Sequence, residues 1–357
     1  MSSTLTDLFR CPIVQAPMAG GASCPPLAAT VSDAGGLGFL AAGYKTADGM
    51  YEEIKHLRGL TGAPFGVNVF MPQTRHADRA AVDLYRSQLA GESNWYDTPL
   101  GDPETGWDDG YEAKLAILLD DPVPVVSFTF GCPPRMVFDR FHRAGTYTIV
   151  TVTTAEEARA AQWAGADAVC AQGIEAGGHQ GTHKDDPATD GAGIGLLSLV
   201  VQVKDAVTLP IVAAGGLMRG SQAAAVLALG AEAAQFGTAF LVTDESAAPE
   251  PHKQAMTNPL FARTELTRAF SGRPARGLVN RFMREHGPYA PQAYPEVHHL
   301  TSPLRKAAAK AGDPQAMALW AGQGHRMARA MPAGRLVEVL AAETEAARAA
   351  MSLGSTA

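Results

Sequence analysis

Cysteine is scarce in this chain of 357 residues: Cys11, Cys24, Cys132 and Cys170 lie far apart with no C-x-x-C pair. That spacing excludes a disulfide scaffold and a structural zinc site, and it predicts reduced thiols. Charge is also sparse, at 18% of residues, beside 46% hydrophobic residues, 37 Gly and 24 Pro. A disordered, fibrous or polyelectrolyte chain is therefore excluded, because ample apolar side chain is present to build a large core. Long hydrophobic runs are missing too. The most apolar stretch, Ala223 to Val242, is rich in Ala and Gly and carries Glu232, and no basic start leads into an apolar core with a cleavage site. The expectation is a soluble cytoplasmic protein with no membrane partner.

The net charge of -7 is divided unevenly. Residues 258–357 hold 13 Lys/Arg against 7 Asp/Glu, a net of +6 that leaves -13 for residues 1–257. The two parts should attract. Arg263, Arg268, Arg273, Arg276, Arg281 and Arg284 are spaced among Gly, Pro and apolar residues without a packed basic cluster, so a nucleic-acid partner is not expected. The pattern suits an ordered cap docked on an acidic body.

Short apolar runs alternate with Ala-rich amphipathic runs over the first 256 residues, at lengths typical of buried parallel strands and surface helices. Eight candidate strands are Ile13 to Ala16, Gly38 to Ala41, Phe65 to Val69, Val123 to Phe128, Tyr147 to Val152, Ala168 to Ala171, Ile211 to Ala214 and Ala233 to Phe236. Helical runs between them include Pro25 to Ala34, Ala47 to Leu60, Pro134 to Ala144, Thr154 to Ala164, Gly195 to Ala206 and Ser221 to Leu229. Ala155 to Gln172 and Gln222 to Gly237 repeat one order: helix, a Gly-Ala-Asp/Glu-Ala turn, strand. No G-x-G-x-x-G follows the first strand. The fold expected is α/β, a closed (β/α)8 TIM barrel over residues 1–257, rather than an open doubly wound sheet. Residues 258–357 are expected to form a mostly helical cap. An insertion of about residues 87–122 precedes the fourth strand. Its Trp95, Tyr96, Trp107 and Tyr111 suggest a lid over the strand ends.

In such a barrel the reactive groups follow the C-terminal ends of strands. Ala16, Pro17 and Met18 lead into Ala19, Gly20 and Gly21 after the first strand. The glycines permit a flat ligand to approach the backbone, or make an ordinary tight turn. Asn68, near the end of the third strand, brings an amide that can serve a heterocycle edge or simply end the strand. Ser127, Thr129 and Gly131, at the fourth, are equally open between ligand and backbone. Gln172-Gly173-Ile174-Glu175-Ala176-Gly177-Gly178-His179-Gln180-Gly181 is the most informative segment. Its amide N–H groups can face an anion, and His179 is the candidate for proton transfer. His183, four residues on, and Glu175 suggest a metal site with His179, but the glycines oppose the helix that would align two imidazoles, so no metal is expected. Gly215 and Gly216 after the seventh strand, with Gln235, Phe236, Gly237 and Thr238 at the eighth, occupy the position where barrels hold a phosphate.

Taken together, PIVQAPMAGG, SDAGGLGFLAAGY, FGVNVF, GIEAGGHQG, IVAAGG, QFGTAFL and LWAGQG resemble the nitronate monooxygenases, formerly called 2-nitropropane dioxygenases. The likeness runs in patches from Pro12 to Gly324. It implies an FMN-dependent barrel that oxidises alkyl nitronates with O2 to a carbonyl compound and nitrite. It further implies that Asn68, Gln172, Gly177, Gly216 and Gln235 through Thr238 contact FMN, with Gly178 and Gly215 beside them. The Ala16-Pro17-Met18 backbone would lie along the flavin, and His179 would be the catalytic base. VPVVSFTFG and the WAGQG tail resemble the branch acting on propionate 3-nitronate and simple nitronates. That branch implies a tyrosine from the insertion, Tyr111 or Tyr96, and a cap lysine, Lys306, near the substrate. The protein would act on a small nitronate and O2, as a monomer or homodimer. The EAGGHxG segment also resembles NADH-dependent flavin enoyl-ACP reductases, and NADH:quinone reductase activity is a related alternative. A phosphate-binding barrel without catalysis is the remaining rival.

Overall fold

The computed structural model describes residues 4–73, 78–106, 108–186 and 188–353. Its strands are β1 (Ile13–Gln15), β2 (Gly38–Ala41), β3 (Phe65–Phe70), β4 (Val125–Thr129), β5 (Tyr147–Val152), β6 (Ala168–Gln172), β7 (Gly178–His179), β8 (Ile211–Ala214), β9 (Ala233–Phe236), β10 (Thr264–Thr267) and β11 (Ala275–Leu278). Eight of them form one parallel sheet in the order β1-β9-β8-β6-β5-β4-β3-β2. A parallel bridge from Val14 to Leu37 brings the two ends together, and the sheet becomes the expected (β/α)8 TIM barrel.

Period-two alternation sorts the strand residues. Val14, Phe39, Val125, Ile149, Cys170 and Val212 fill the bore, while Ile13, Leu40, Val126, Val150, Val169 and Ile211 face the helices. Toward the C-terminal rim the inward positions become polar. Asn68, Ser127, Thr129 and Thr151 form a hydrogen-bonded row there.

The helices are α1 (Pro25–Asp33), α2 (Ala47–Leu60), α3 (Arg79–Gln88), α4 (Ala90–Trp95), α5 (Tyr111–Asp120), α6 (Arg135–Arg143), α7 (Ala155–Ala164), α8 (Leu196–Ala206), α9 (Gly220–Ala228), α10 (Glu250–Thr257), α11 (Arg281–His286), α12 (Glu296–Lys310) and α13 (Ala333–Leu353). Local chemistry sets their ends. Thr46 and Thr154 cap α2 and α7 through side-chain oxygens that accept from Gly49 and Glu157 N–H groups, and Gly165, at φ +102°, ends α7. The two similar stretches seen in the sequence are α7 with β6 and α9 with β9.

Packing redraws two expected boundaries. The region before β4 is no single lid. α5 places Tyr111, Leu115 and Leu118 in the barrel's outer core, whereas Val82, Tyr85 and Leu89 around α3 join a second core. Trp107 lies outside the described residues. That second core is the cap's, built around Phe270, Phe282, Leu300 and Leu319. Residues 258–357 do not all belong to it: Ala333, Leu336, Val337 and Leu340 of α13 pack into the barrel core beside α9 and α1. An apolar helix face stacked on two outer helices completes the ring there. The cap also holds the hairpin β10–β11, whose Gly and Arg content hid it from the sequence. No helix of the described residues is long and apolar enough to cross a membrane.

Candidate functional site

The C-terminal rim of the barrel is where glycines and polar strand ends converge. Gly20, Gly21 and Gly178 stand at φ +92°, +123° and +73°, and a Cβ on any of them would project into open space. Backbone is thus bare along the mouth, as a flat ligand in close contact requires. Met18 N–H is held by the Ser23 hydroxyl at 2.8 Å, and Ala16 N–H by the Phe236 carbonyl. The Phe236 ring itself is sealed in the barrel core, so this residue offers the mouth only its backbone.

Beside these, Gly177, Gly216 and Thr238 meet the segment Ala321 to Gly324 from the cap. A Cβ at Gly177 would lie 2.5 Å from Gly322 N, and one at Gly324 2.6 Å from Gly216 O. Gly322 N–H donates to the Thr238 hydroxyl at 2.9 Å. Gly215, at φ +127°, packs on Gly173. The loop after β6 is tied by the Gln172 side chain, whose Oε1 accepts from Gly181 N–H and whose Nε2 donates to His179 O. Gln235 donates to the Cys170 sulfur at 3.4 Å. Asn68 donates to Ser127 and Thr129.

His179 sits in a strand of two residues, and the cap holds it. β7 pairs antiparallel with β11, with Ala275 opposite His179 and Arg276 opposite Gly178. The imidazole Nε2 lies 2.8 Å from the Ser271 hydroxyl, which donates to Arg273 O at 3.2 Å. While the Ser271 hydroxyl donates to Arg273 O, its oxygen accepts from Nε2–H, and in that tautomer the lone pair is on Nδ1. Around the ring stand Phe130 at 5.8 Å, Tyr294 at 5.7 Å and Trp320 at 5.5 Å between centroids. Burial, then the charges of Arg273 and Arg305, push the imidazole down to about 3, so it is neutral at any ordinary pH.

Two further features mark this end as a built site. Tyr44, just past β2, and Phe130, just past β4, adopt φ of +66° and +75°. Side chains rarely tolerate that conformation, and such strain collects where position matters more than stability. Both rings enter the aromatic cluster: the Tyr294 hydroxyl donates to that of Tyr44 at 3.2 Å, and the Arg273 guanidinium covers the Phe130 face at 4.2 Å. Arg273 is buried and donates to Gln73 and Thr182.

Other candidates read from the sequence fall elsewhere. Tyr111 is buried in the barrel core, and its hydroxyl has no partner among the described residues. The Tyr96 hydroxyl donates to Asp313 in the seam between α4 and the cap. Lys306 is exposed on α12 while its neighbour Arg305 turns inward. His183 bonds the Thr151 carbonyl, and Glu175 accepts from Leu196 N–H at the start of α8, so neither joins His179. Among the described residues, metal-ligand spacing occurs at Glu92, Glu285 and His286, where Arg281 already pairs with both carboxylates.

Tyr44, Phe130, Ser271, Arg273, Tyr294, His298 and Arg305 were given no role by the sequence. Tyr44 ended one motif that carried the resemblance, and Trp320 stood second in another. Nothing in the sequence, however, marks a left-handed aromatic or an inward-turned arginine.

Comparison with known proteins places these features in context. The sequence profile described as nitronate monooxygenase matches residues 2–343. A probable nitronate monooxygenase of Staphylococcus saprophyticus is 39% identical over 344 residues, 95% of this chain and 96% of the relative. A crystal structure of nitroalkane oxidase from Streptomyces ansochromogenes is 75% identical, with a TM-score of 0.96 over 98% of this chain and 100% of that one. FabK from Thermotoga maritima is 28% identical, with a TM-score of 0.77 over 100% of both chains.

Proposed function

This chain belongs to the nitronate monooxygenase family of oxidoreductases, and on that premise we propose that it uses FMN to oxidise alkyl nitronates with O2 to a carbonyl compound and nitrite. The substrates are propionate 3-nitronate and simple nitroalkane nitronates. One observation carries the reading. A neutral imidazole, His179, stands on the rim between glycine-lined backbone on the barrel side and a cationic, aromatic wall on the cap side.

The cradle fits the cofactor, since bare backbone at Gly20, Gly21 and Gly178 leaves room for a flat ring system. Ala16, Pro17 and Met18 would hold that ring, with Asn68, Gln172 and Gln235 at its polar edges. Gly177, Gly215, Gly216, Gly237 and Thr238 would hold the phosphate. FMN, when bound, supplies the electron acceptor. The chain's own residues do the rest. Nδ1 of His179 takes the carbon-bound proton of a neutral nitroalkane. When the nitronate is supplied preformed, the imidazole needs only to position the anion. An imidazole pushed down by burial is a weak base, so preformed nitronate is the better substrate. Phe130, Tyr294 and Trp320 exclude water, and Arg273 and Arg305 favour a bound anion.

The test is direct. Purified protein incubated with propionate 3-nitronate or nitroethane nitronate should consume O2 and release nitrite. Protein that stays colourless after FMN is added would overturn the cofactor assignment. The likeness to FabK supports a second reading, the NADH-dependent flavin enoyl reductase. Anaerobic bleaching by NADH, with no response to nitronate, would put that reading first.

A further inference from the structure

A second imidazole reaches the aromatic cluster beside His179. His298, in the first turn of α12, is only 8% exposed. Its ring stacks on Tyr44 at 3.8 Å and 10° and lies edge-on to Tyr294 at 6.4 Å. Tyr294 therefore contacts both imidazoles. Two turns further along α12, Arg305 folds back: its Nη2 lies 3.2 Å from His298 Nδ1 and 2.9 Å from the His298 carbonyl. Its Nε donates to Thr301, which is anchored in turn on the Phe270 carbonyl.

A guanidinium has donors and no acceptor. Nδ1 of His298 must accept, so its ring proton is on Nε2. Among the described residues Nε2 has no hydrogen-bond partner, and Arg305 forms no ion pair with a carboxylate. A donor with no protein acceptor and a half-buried cation with no carboxylate thus stand side by side among the described residues, where a small anion could serve both.

We propose that the Nε2–H of His298 is the donor that binds an oxygen of the nitronate's planar NO2 group, and that Arg305 is the positioning residue that fixes its tautomer. The substrate identity rests on the function proposed above, whereas recognition of a small planar oxyanion does not. Protonation offers His298 no alternative role. Burial first, then the charges of Arg305, His299, His179 and Lys306, hold its imidazole well below the ordinary value, and the faces it packs on are the neutral phenols Tyr44 and Tyr294. Asp109, behind Tyr44, is paired with Lys114.

The experiment uses the flavin-loaded protein, with nitrate as a stable planar oxyanion measured by calorimetry and nitroethane nitronate as substrate. His298→Leu should weaken nitrate binding and raise KM for the nitronate by about 10- to 100-fold, with kcat changed less than about threefold. His298→Gln, whose amide N–H falls near the lost Nε2–H, should recover most of both. Nitrate affinity of the unsubstituted protein should be flat from pH 5 to pH 8. In Arg305→Met it should begin to tighten at a higher pH than in the unsubstituted protein, because one of the charges opposing protonation is gone while burial still holds the imidazole below its ordinary value. That profile is one a merely structural arginine would not produce. His298→Leu with nitrate affinity and KM within twofold of the unsubstituted protein overturns the proposal, as does an unsubstituted protein that binds neither anion. Nitrate binding that depends on His298, in protein that consumes no nitronate, upholds the anion site and sinks the functional reading instead.

Discussion

On the barrel side the mouth is backbone, with Gly20, Gly21, Gly178, Gly215 and Gly216 all at positive φ, whereas on the cap side it is side chain, with Tyr294, His298, Arg305, Arg273 and Trp320 crowding His179. The first arrangement suits a large ligand that is always the same and can be met by bare amides. The second suits a small anion that must be told from water and held beside a base. His179 belongs to both. Its loop leaves the barrel after β6, but its strand partner β11 and its hydrogen-bond partner Ser271 come from the cap. A cradle and a reaction chamber that share one residue should be separable by substitution.

The largest separation is expected at His179 itself. His179→Asn should retain FMN, judged by the visible spectrum, yet lose about 10²- to 10⁴-fold in turnover of neutral nitroethane, the range for a missing proton-transfer group. Loss on preformed nitronate should be smaller, because no proton is then abstracted. Equal loss on both would contradict the base role, and release of FMN would contradict the division of labour.

The next effect acts on the docking of the cap. Glu92 of α4 is buried, and Arg281 and His286 of α11 hold its carboxyl down at about 2. Glu92→Gln removes the buried one of the two carboxylates that Arg281 pairs with and leaves only Glu285, and urea unfolding at pH 7 should show a loss of about 2–3 kcal/mol, less than a fully sealed pair because Arg281 is part exposed. The carboxyl is depressed, so its contribution is complete above the unfolded value of about 4.5 and fades as pH falls toward 2. The difference between the two proteins should therefore shrink on acidification. A difference that holds at pH 3 would assign the effect to packing.

A narrower test lies within the cradle, between adjacent glycines. Gly177 is needed for space, since a Cβ would meet Gly322 N at 2.5 Å, both being backbone. Gly178 is needed for conformation, since its Cβ would meet nothing but its φ is +73°. Gly177→Ala should force Ala321 to Gly324 away from Thr238 at a cost of about 1–3 kcal/mol, read as a weaker Kd for FMN of roughly 10- to 100-fold. Gly178→Ala should cost about 1 kcal/mol, the usual penalty of a left-handed alanine. The reverse order would mean that the seam between barrel and cap plays no part in holding the phosphate.

The same contrast explains what the sequence disclosed. The barrel was legible because period-two runs and capped helices are local properties, and β6, β8 and β9 fall within a residue of where the pattern places them. Its glycines could be located because a glycine after a strand end has few uses. The cap was not legible. Arg305 and Lys306 are neighbours of equal charge, and only the phase of α12 decides which faces Tyr44 and His298 and which faces water. Tyr96 and Tyr111 were separated by packing: one fell in the cap seam and the other in the barrel core. Even β7 could not be foreseen, because its two residues are extended only by pairing with β11, about a hundred positions away.

The smallest effect concerns His252, whose Nε2 bonds the Trp320 carbonyl and so ties α10 to the segment that covers the mouth. Burial pushes its imidazole down to about 4. In the unfolded chain it would titrate near 6.5, so as pH falls below that value the unfolded state takes up the proton first and stability declines until about pH 4. One pH unit below 6.5 corresponds to about 1.4 kcal/mol. Urea unfolding at pH 7.5 and pH 5.5 should show His252→Gln destabilised at the higher pH, from loss of the bond to Trp320, and closer to the unsubstituted protein by about that amount at the lower. Barrel and cap differ here as well, since the depressed imidazoles His179, His252, His298, His299 and His325 all lie in the cap or against it. Acid should therefore loosen the reaction chamber before the cradle, and FMN retained at a pH where nitronate turnover has already failed irreversibly is the observation that would show it.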